Sequence, residues 1–297
     1  MNGYARTPWR RSVRFPTGVR NTGRAWTFAV ITDSHCTPTP ASLRYGQGLE
    51  HLGNGAARLR RCFDAIETQE DCPEFCLLLG DVGLDDAMDV LAAAPCPIYP
   101  VAGNYEWGEQ RNRLRAAYAE LLGTSDYYAF THRGVRFLGL CTAGTGNDHV
   151  GQLASEDIRP PGQSGWLAGE LSAPWEPRVL FAHCPPETPG LDRAAFLESS
   201  THDYLPFLGE NDSRFLLGLL HTHGPILLLA GHQHRATYGF GVADSHVIVI
   251  RSCHWNHDAQ AVGFLLVRVE EDGLSSCEVL TGEPRLHGGS RGRQMAS

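Results

Sequence analysis

Lysine is absent from this 297-residue chain; all 25 of its basic residues are arginine. Any protein cation that meets a phosphate must then be an arginine fork, and metals are the other means. Acidic residues outnumber basic ones and the formal net charge is −8, which argues against nucleic acid as the partner. The nine cysteines contain no Cys-x-x-Cys pair and follow no spacing. An odd, unpatterned set implies reduced thiols in the cytoplasm, not a disulfide framework. No apolar run approaches the length of a membrane span, so no membrane contact is expected. Arg10-Arg11 is not followed by an apolar stretch before the first core strand, so export is not expected either. Internal repeats are missing too. Residues 1–25 hold six arginines and no acid and suggest a flexible basic arm. Residues 284–297 are polar, rich in Gly and Arg, and suggest a frayed tail. One domain is expected between them, over 26–283.

What is present is a run of buried strands. "WTFAVIT" (26–32) and "FCLLLG" (75–80) each end in an aspartate, Asp33 and Asp81. Between them Leu59, Cys62, Phe63 and Ile66 recur at spacings of three and four, the period of an amphipathic helix. Strand, helix, strand in that order predicts a βαβ crossover with parallel strands. "PIYPV" (97–101) is a third strand, followed by a helix over about 109–122. "YYAFT" and "VRFLGLC" read as a hairpin turning at His132–Gly134. "RVLFAHC" and "PILLLAGHQH" are two more buried strands, and residues 202–222 between them suggest a helix. "HVIVIRS", "VGFLLVRVE" and "SSCEVL" have no helix between them and predict an antiparallel run.

Ligands of open α/β sheets bind beyond the carboxyl ends of the strands. Those ends supply Asp33, His35, Asp81, Asn104, His183, His232 and His234. Singly, a strand-end Asp is an ordinary turn residue and a lone His an ordinary core residue. Seven such donors from five strands are a different matter. Imidazole with carboxylate and amide oxygen suits zinc, iron, manganese or cobalt. Seven donors exceed one tetrahedral site and suit two metals sharing a bridging carboxylate.

"DSH" (33–35), "GD" (80–81), "GN" (103–104), His183 followed by Pro185-Pro186, and "GHQH" (231–234) together resemble the calcineurin-like metallophosphoesterases. "GQSGWLAGEL" (162–171) resembles the cyclic-nucleotide phosphodiesterase-like branch of that family. The resemblance implies a four-layer α/β/β/α sandwich of two mixed sheets flanked by helices, with a dinuclear metal site at the strand ends. It implies that Asp33, His35 and His234 hold one metal and Asn104, His183 and His232 the other, with Asp81 bridging. The two ions would be divalent or mixed-valence Fe, Mn or Zn. The implied reaction is hydrolysis of a small phosphorylated substrate, a phosphomonoester or phosphodiester, by hydroxide on the metals.

One residue departs from the pattern. The family has Gly-Asn-His before Glu or Asp; this chain has Gly103-Asn104-Tyr105-Glu106. The family's His stabilises the transferring phosphoryl group and assists the leaving group as an acid. Tyr105 can donate a hydrogen bond, but its ordinary pKa of about 10 against about 6.5 makes it the poorer acid. Catalytic roles are therefore expected for Asp81, His183 and, in altered form, Tyr105. Tyr105 also admits another reaction on the same metals, oxidative at a di-iron centre or a lyase. An inactive binding module would require lost ligands, and all seven are present. Arg44, Tyr45 and His51, in the long loop over 36–55, and His254 in "CHWNHD" are candidate substrate contacts. Asp85 and Asp86 suggest a helix cap, and Cys36 and Cys184 suggest packing beside ligands.

Overall fold

The computed structural model describes residues 4–17, 23–39, 43, 47–106, 108–122, 125–143, 153, 162–174, 176–187 and 207–283. The expected tail over 284–297 lies outside them.

Two mixed sheets are stacked face to face. The first holds β1 (Ala5–Arg6), β2 (Arg10–Arg14), β3 (Trp26–Ile31), β4 (Cys76–Leu78), β5 (Ile98–Pro100), β12 (Val262–Glu270) and β13 (Gly273–Gly282). Its order is β1-β13-β12-β3-β4-β5, with β2 also on β13. The second holds β6 (Tyr128–His132), β7 (Val135–Gly139), β8 (Arg178–Phe181), β9 (Ile226–Ala230), β10 (Tyr238–Val242) and β11 (Ser245–Val249), in the order β10-β11-β9-β8-β7-β6. The expected βαβ crossover is present: β3 and β4 are parallel, and β5 adds parallel to β4.

Helices cover the outer faces. On the first sheet α1 (Gly55–Glu67) buries Leu59, Cys62, Phe63 and Ile66, the predicted stripe, and α2 (Leu84–Ala92) buries Leu84, Ala87, Val90 and Leu91. Asn54 Oδ1 caps α1 by accepting the Ala57 N–H at 2.9 Å. The expected helix at 109–122 is two pieces, α3 (Glu109–Ala117) and α4 (Ala119–Leu122), because Tyr118 leaves helical geometry at φ −127°. On the second sheet Leu167 and Leu171 of α5 (Gly162–Ser172) and Leu216 and Leu220 of α6 (Glu210–His223) meet Leu180, Leu228 and Val247. The alternate residues Val179, Phe181, Leu227 and Leu229 face the other way, into the shared core. Phe28 and Phe75 from the first sheet meet Phe137 from the second there, with centroids 5.3 and 5.2 Å apart. Strands buried on both faces explain the unbroken apolar runs of the sequence.

Two expectations are corrected. The arm over 1–25 is, in its described part, not free: Ala5–Arg6 and Arg10–Arg14 pair antiparallel with β13. The arginines of an edge strand keep their charges in solvent while the backbone is paired, so a polar stretch can be a strand. The run "HVIVIRS", "VGFLLVRVE" and "SSCEVL" is not one antiparallel set: β12 and β13 pair antiparallel in the first sheet, and β11 belongs to the second. β10 turns back along the sheet edge and β11 then fills the gap beside β9, parallel to it. No intervening helix is needed when the crossover is itself a strand.

Candidate metal centre

Asp33 and His35 follow β3, Asp81 follows β4, Asn104 follows β5, His183 follows β8, and His232 and His234 follow β9. All seven are buried. Five of them bend the backbone into the left-handed region: Asp33 (φ 56°), His35 (39°), Asp81 (50°), His232 (72°) and His234 (48°). That conformation is uncommon outside glycine, and clusters of it mark functional sites. Glycine would relieve each position but remove the donor. Glycine stands instead where neighbouring atoms leave no room for a Cβ. A Cβ on Gly103 would strike Asp81, and one on Gly231 would strike Thr32 and Asp33.

The donors form two groups. In one, His35 Nε2 and His234 Nε2 are 3.2 Å apart, and His234 Nε2 lies 3.1 Å from Asp33 Oδ1. In the other, His183 Nε2 lies 2.9 Å from Asn104 Oδ1 and 3.1 Å from His232 Nδ1. Asp81 Oδ2 stands between, 3.6 Å from His35 Nε2 and 3.3 Å from His183 Nε2. Its other oxygen accepts the Tyr105 N–H at 2.8 Å. His183 Nδ1 donates to Leu79 O at 2.6 Å and His234 Nδ1 to Trp255 O at 2.9 Å, so each Nε2 turns inward. Asp33 Oδ2 accepts Thr32 Oγ1 (2.6 Å) and the His232 N–H (2.9 Å). Among the described residues its buried Oδ1 has no hydrogen-bond partner of good geometry. Lone pairs aimed at common points and a carboxylate oxygen left unbonded are the donor set a cation completes.

Charge follows burial and neighbours. Burial pushes His35 down to about 4 against the pull of Asp81. For His183 burial also lowers the pKa, but Asp81 and Asp33 outweigh it and raise it to about 10. Burial acts to raise Asp33, and His234 and His183 hold it well below the usual carboxylate range. Cys184 Sγ lies within 4.8 Å of ligand nitrogens of His183 and His232. Burial raises its pKa well above 9.

The residues that hold this rim are not among the seven donors, and the sequence does not show what they hold. Glu106, buried at 1% exposure, accepts the backbone N–H groups of Asp81 (2.7 Å), Val82 (2.8 Å) and Gly103 (2.8 Å). One carboxylate thus joins the β4 and β5 loops, which is why an acid follows the Gly-Asn pair. Ser252 Oγ donates to Asp33 O (2.9 Å) and accepts the His254 N–H (2.9 Å). Buried Arg58 of α1 donates to His254 O (2.6 Å) and Leu49 O (2.8 Å). Gln163, from the segment 162–171, exchanges both its hydrogen bonds with the Cys141 backbone at 2.7 Å.

The remaining candidates separate. His254 is buried, donates from Nδ1 to Ser34 O (2.8 Å), and lines a cavity of about 330 Å³ with His35, Leu43, Asn54 and Arg58. Burial, then Arg58, lowers its pKa. His51 is exposed on a 3₁₀ turn over Glu50–Leu52 and does not line that cavity. Arg44 and Tyr45 lie outside the described residues. Tyr105 is half-buried, its ring edge-on to His35 at 4.9 Å, and lines a second cavity of about 400 Å³ with His35, Thr37, Thr39 and Gln110. Burial and then Asp81 raise its pKa, against a hydrogen bond with Thr39. Asp85 and Asp86 are in the first turn of α2 without a capping hydrogen bond; Asp85 pairs with Arg113 and Gln110.

The calcineurin-like phosphoesterase profile matches residues 27–236. Among curated proteins no sequence matches the chain. A dimetal phosphatase from Danio rerio superposes with a TM-score of 0.59 at 19% identity, over 87% of this chain and 97% of that one. A Thermus thermophilus protein gives 0.45 at 13% identity, over 83% and 99%. The 5'-nucleotidase of Candida albicans gives 0.42 at 10%, over 87% and 48%.

Proposed function

Since its profile spans most of the chain, the protein belongs to the calcineurin-like phosphoesterase family, and we propose that it hydrolyses phosphate esters with two metal ions held by the seven strand-end donors. The single observation that carries this reading is the convergence of those donors in two groups with Asp81 Oδ2 between them. Asp33, His35 and His234 hold one ion. Asn104, His183 and His232 hold the other, and Asp81 faces both. The pair supplies Lewis-acid charge for phosphate oxygens and lowers the pKa of water.

The chain's own residues do the rest. Leu79 O and Trp255 O fix the tautomers of His183 and His234. Glu106 holds the Asp81 and Asn104 loops in one register. Tyr105 stands where the family's acid stands. Its raised pKa keeps the hydroxyl protonated at neutral pH, so it donates a hydrogen bond to phosphate without passing the proton on. Esters with good leaving groups are then the favoured substrates. The free cysteines support a reducing compartment, the cytoplasm, and among the described residues no helix is long and apolar enough to cross a membrane. Elemental analysis of protein prepared without chelator, with a panel of phosphomonoesters and phosphodiesters, tests the reading. Near two transition metals per chain and metal-dependent phosphate release are expected; activity retained with metal near zero sinks it.

A further inference from the structure

The loop after β11 comes from a strand that contributes none of the seven donors, yet it closes over one half of the site. Trp255 is its centre, 2% exposed. The indole stacks on His234 with centroids 4.1 Å and planes 29° apart, and lies 4.5 Å from His35. Its carbonyl accepts His234 Nδ1. Its Nε1 finds no hydrogen-bond partner among the described residues. A buried N–H left unpaired is costly, so this position uses the ring's face and not its polar atom. Leu49, Leu52 and Val262 pack with Trp255 in one apolar cluster. Ser252 ties the same loop to Asp33 O, and Cys253 N–H donates to Thr32 O at 3.1 Å.

The ring stacking and the hydrogen bonds of this loop end on Asp33, His35 and His234 or on Thr32, the chain neighbour of Asp33. The two imidazole Nε2 atoms there are 3.2 Å apart, so both rings must be held in orientation to meet one ion. We infer that Trp255 is a positioning residue for the metal of the Asp33, His35 and His234 group, pressing both imidazoles into place and making that half of the site the tighter one. The inference rests on the two-metal reading above. Rings ordered before binding do not spend affinity on being ordered, and outer partners of metal ligands typically change metal affinity about 10–100-fold.

Zinc is the probe, because nitrogen and oxygen sites take it more tightly than manganese or iron(II). Chelator-competition titrations compare the full-length wild type, Trp255→Leu and Trp255→Phe. Two binding steps are expected in the wild type. Trp255→Leu should weaken the tighter step about 10–100-fold and spare the other, and Trp255→Phe, which restores an aromatic face, should recover most of the loss. Tryptophan emission gives a second readout that does not need the leucine variant to fold. Zinc filling the tighter step should change emission in the wild type, and Trp255→Phe should still bind zinc with that change abolished. Equal weakening of both steps, no weakening of either, or a persistent emission change in Trp255→Phe overturns the inference. A wild type that binds no zinc overturns the two-metal reading, and the clamp with it; a wild type that binds two ions as its variants do overturns the clamp alone.

Discussion

The two halves of the site use similar donors on different supports. Asp33, His35 and His234 are backed by a loop: Trp255 against the rings, Ser252 and His254 on the backbone, Arg58 behind. His183 and His232 pack on each other, centroids 4.9 Å apart, and His183 is anchored across the sheets by Leu79 O. The first half is held by a segment that could be exchanged without touching a donor. The second is held by the meeting of the two sheets themselves. On the proposed two-metal reading, affinity in the first is open to adjustment by substitution, whereas loosening the second disturbs the core.

The residue common to both halves should break the comparison most sharply. Asp81→Asn removes the negative charge that faces both groups, so metal content should fall from near two to below one per chain. Turnover should drop by more than about 100-fold, beyond the cost of losing an outer partner. Elemental analysis and steady-state hydrolysis measure both, and a variant with two metals and ordinary turnover would refute the bridging role. Splitting the halves comes next. His234→Ala and His232→Ala should each lose about one metal of two. The ion kept by His232→Ala should be the tighter, because the Trp255 loop is intact there; zinc titration decides.

Glu106→Gln tests the support shared by both loops. An amide presents its NH₂ to backbone N–H donors that a carboxylate accepted, leaving a buried donor unpaired, at about 1–3 kcal/mol. Urea unfolding should show that loss, and both zinc steps should weaken together, unlike the selective effect at Trp255. A variant of unchanged stability would mean the loops hold themselves.

The smallest change is outside the donors. Tyr105→His should keep both metals and raise hydrolysis of alkyl esters relative to aryl esters about tenfold or more, since general acid help is worth about 10²–10⁴. The ratio within one variant removes the effect of the volume change. Tyr105→Phe separates hydroxyl from ring: lost activity implicates the hydroxyl, and retained activity leaves the ring to shape the pocket. No gain in the folded, metallated histidine variant would count against the weaker-acid account.

The donors were legible because polar residues at the ends of apolar runs are exceptions to a strong local pattern. The βαβ unit and the stripe of α1 were legible for the same reason. Edge strands were not: "RRSVR" has no alternation of its own and becomes β2 only because β13 offers an unpaired edge. Nor was the direction of β11, which depends on β10 passing outside it. His254 stands out in "CHWNHD" as a loop histidine. Its neighbour Trp255 does not, because a tryptophan in a loop says nothing of what it stacks on.

By itself the sequence determined which polar side chains would stand on strand ends, since residue chemistry and hydrophobic periodicity are local properties. Their division into two groups around Asp81 came from the family resemblance; only the tertiary structure supplied the distances of that division and the support of Glu106 and Trp255. Those are contacts between loops from different strands, 220 residues apart in the case of His35 and Trp255 (255 − 35), and their distances exist only once the two sheets have packed.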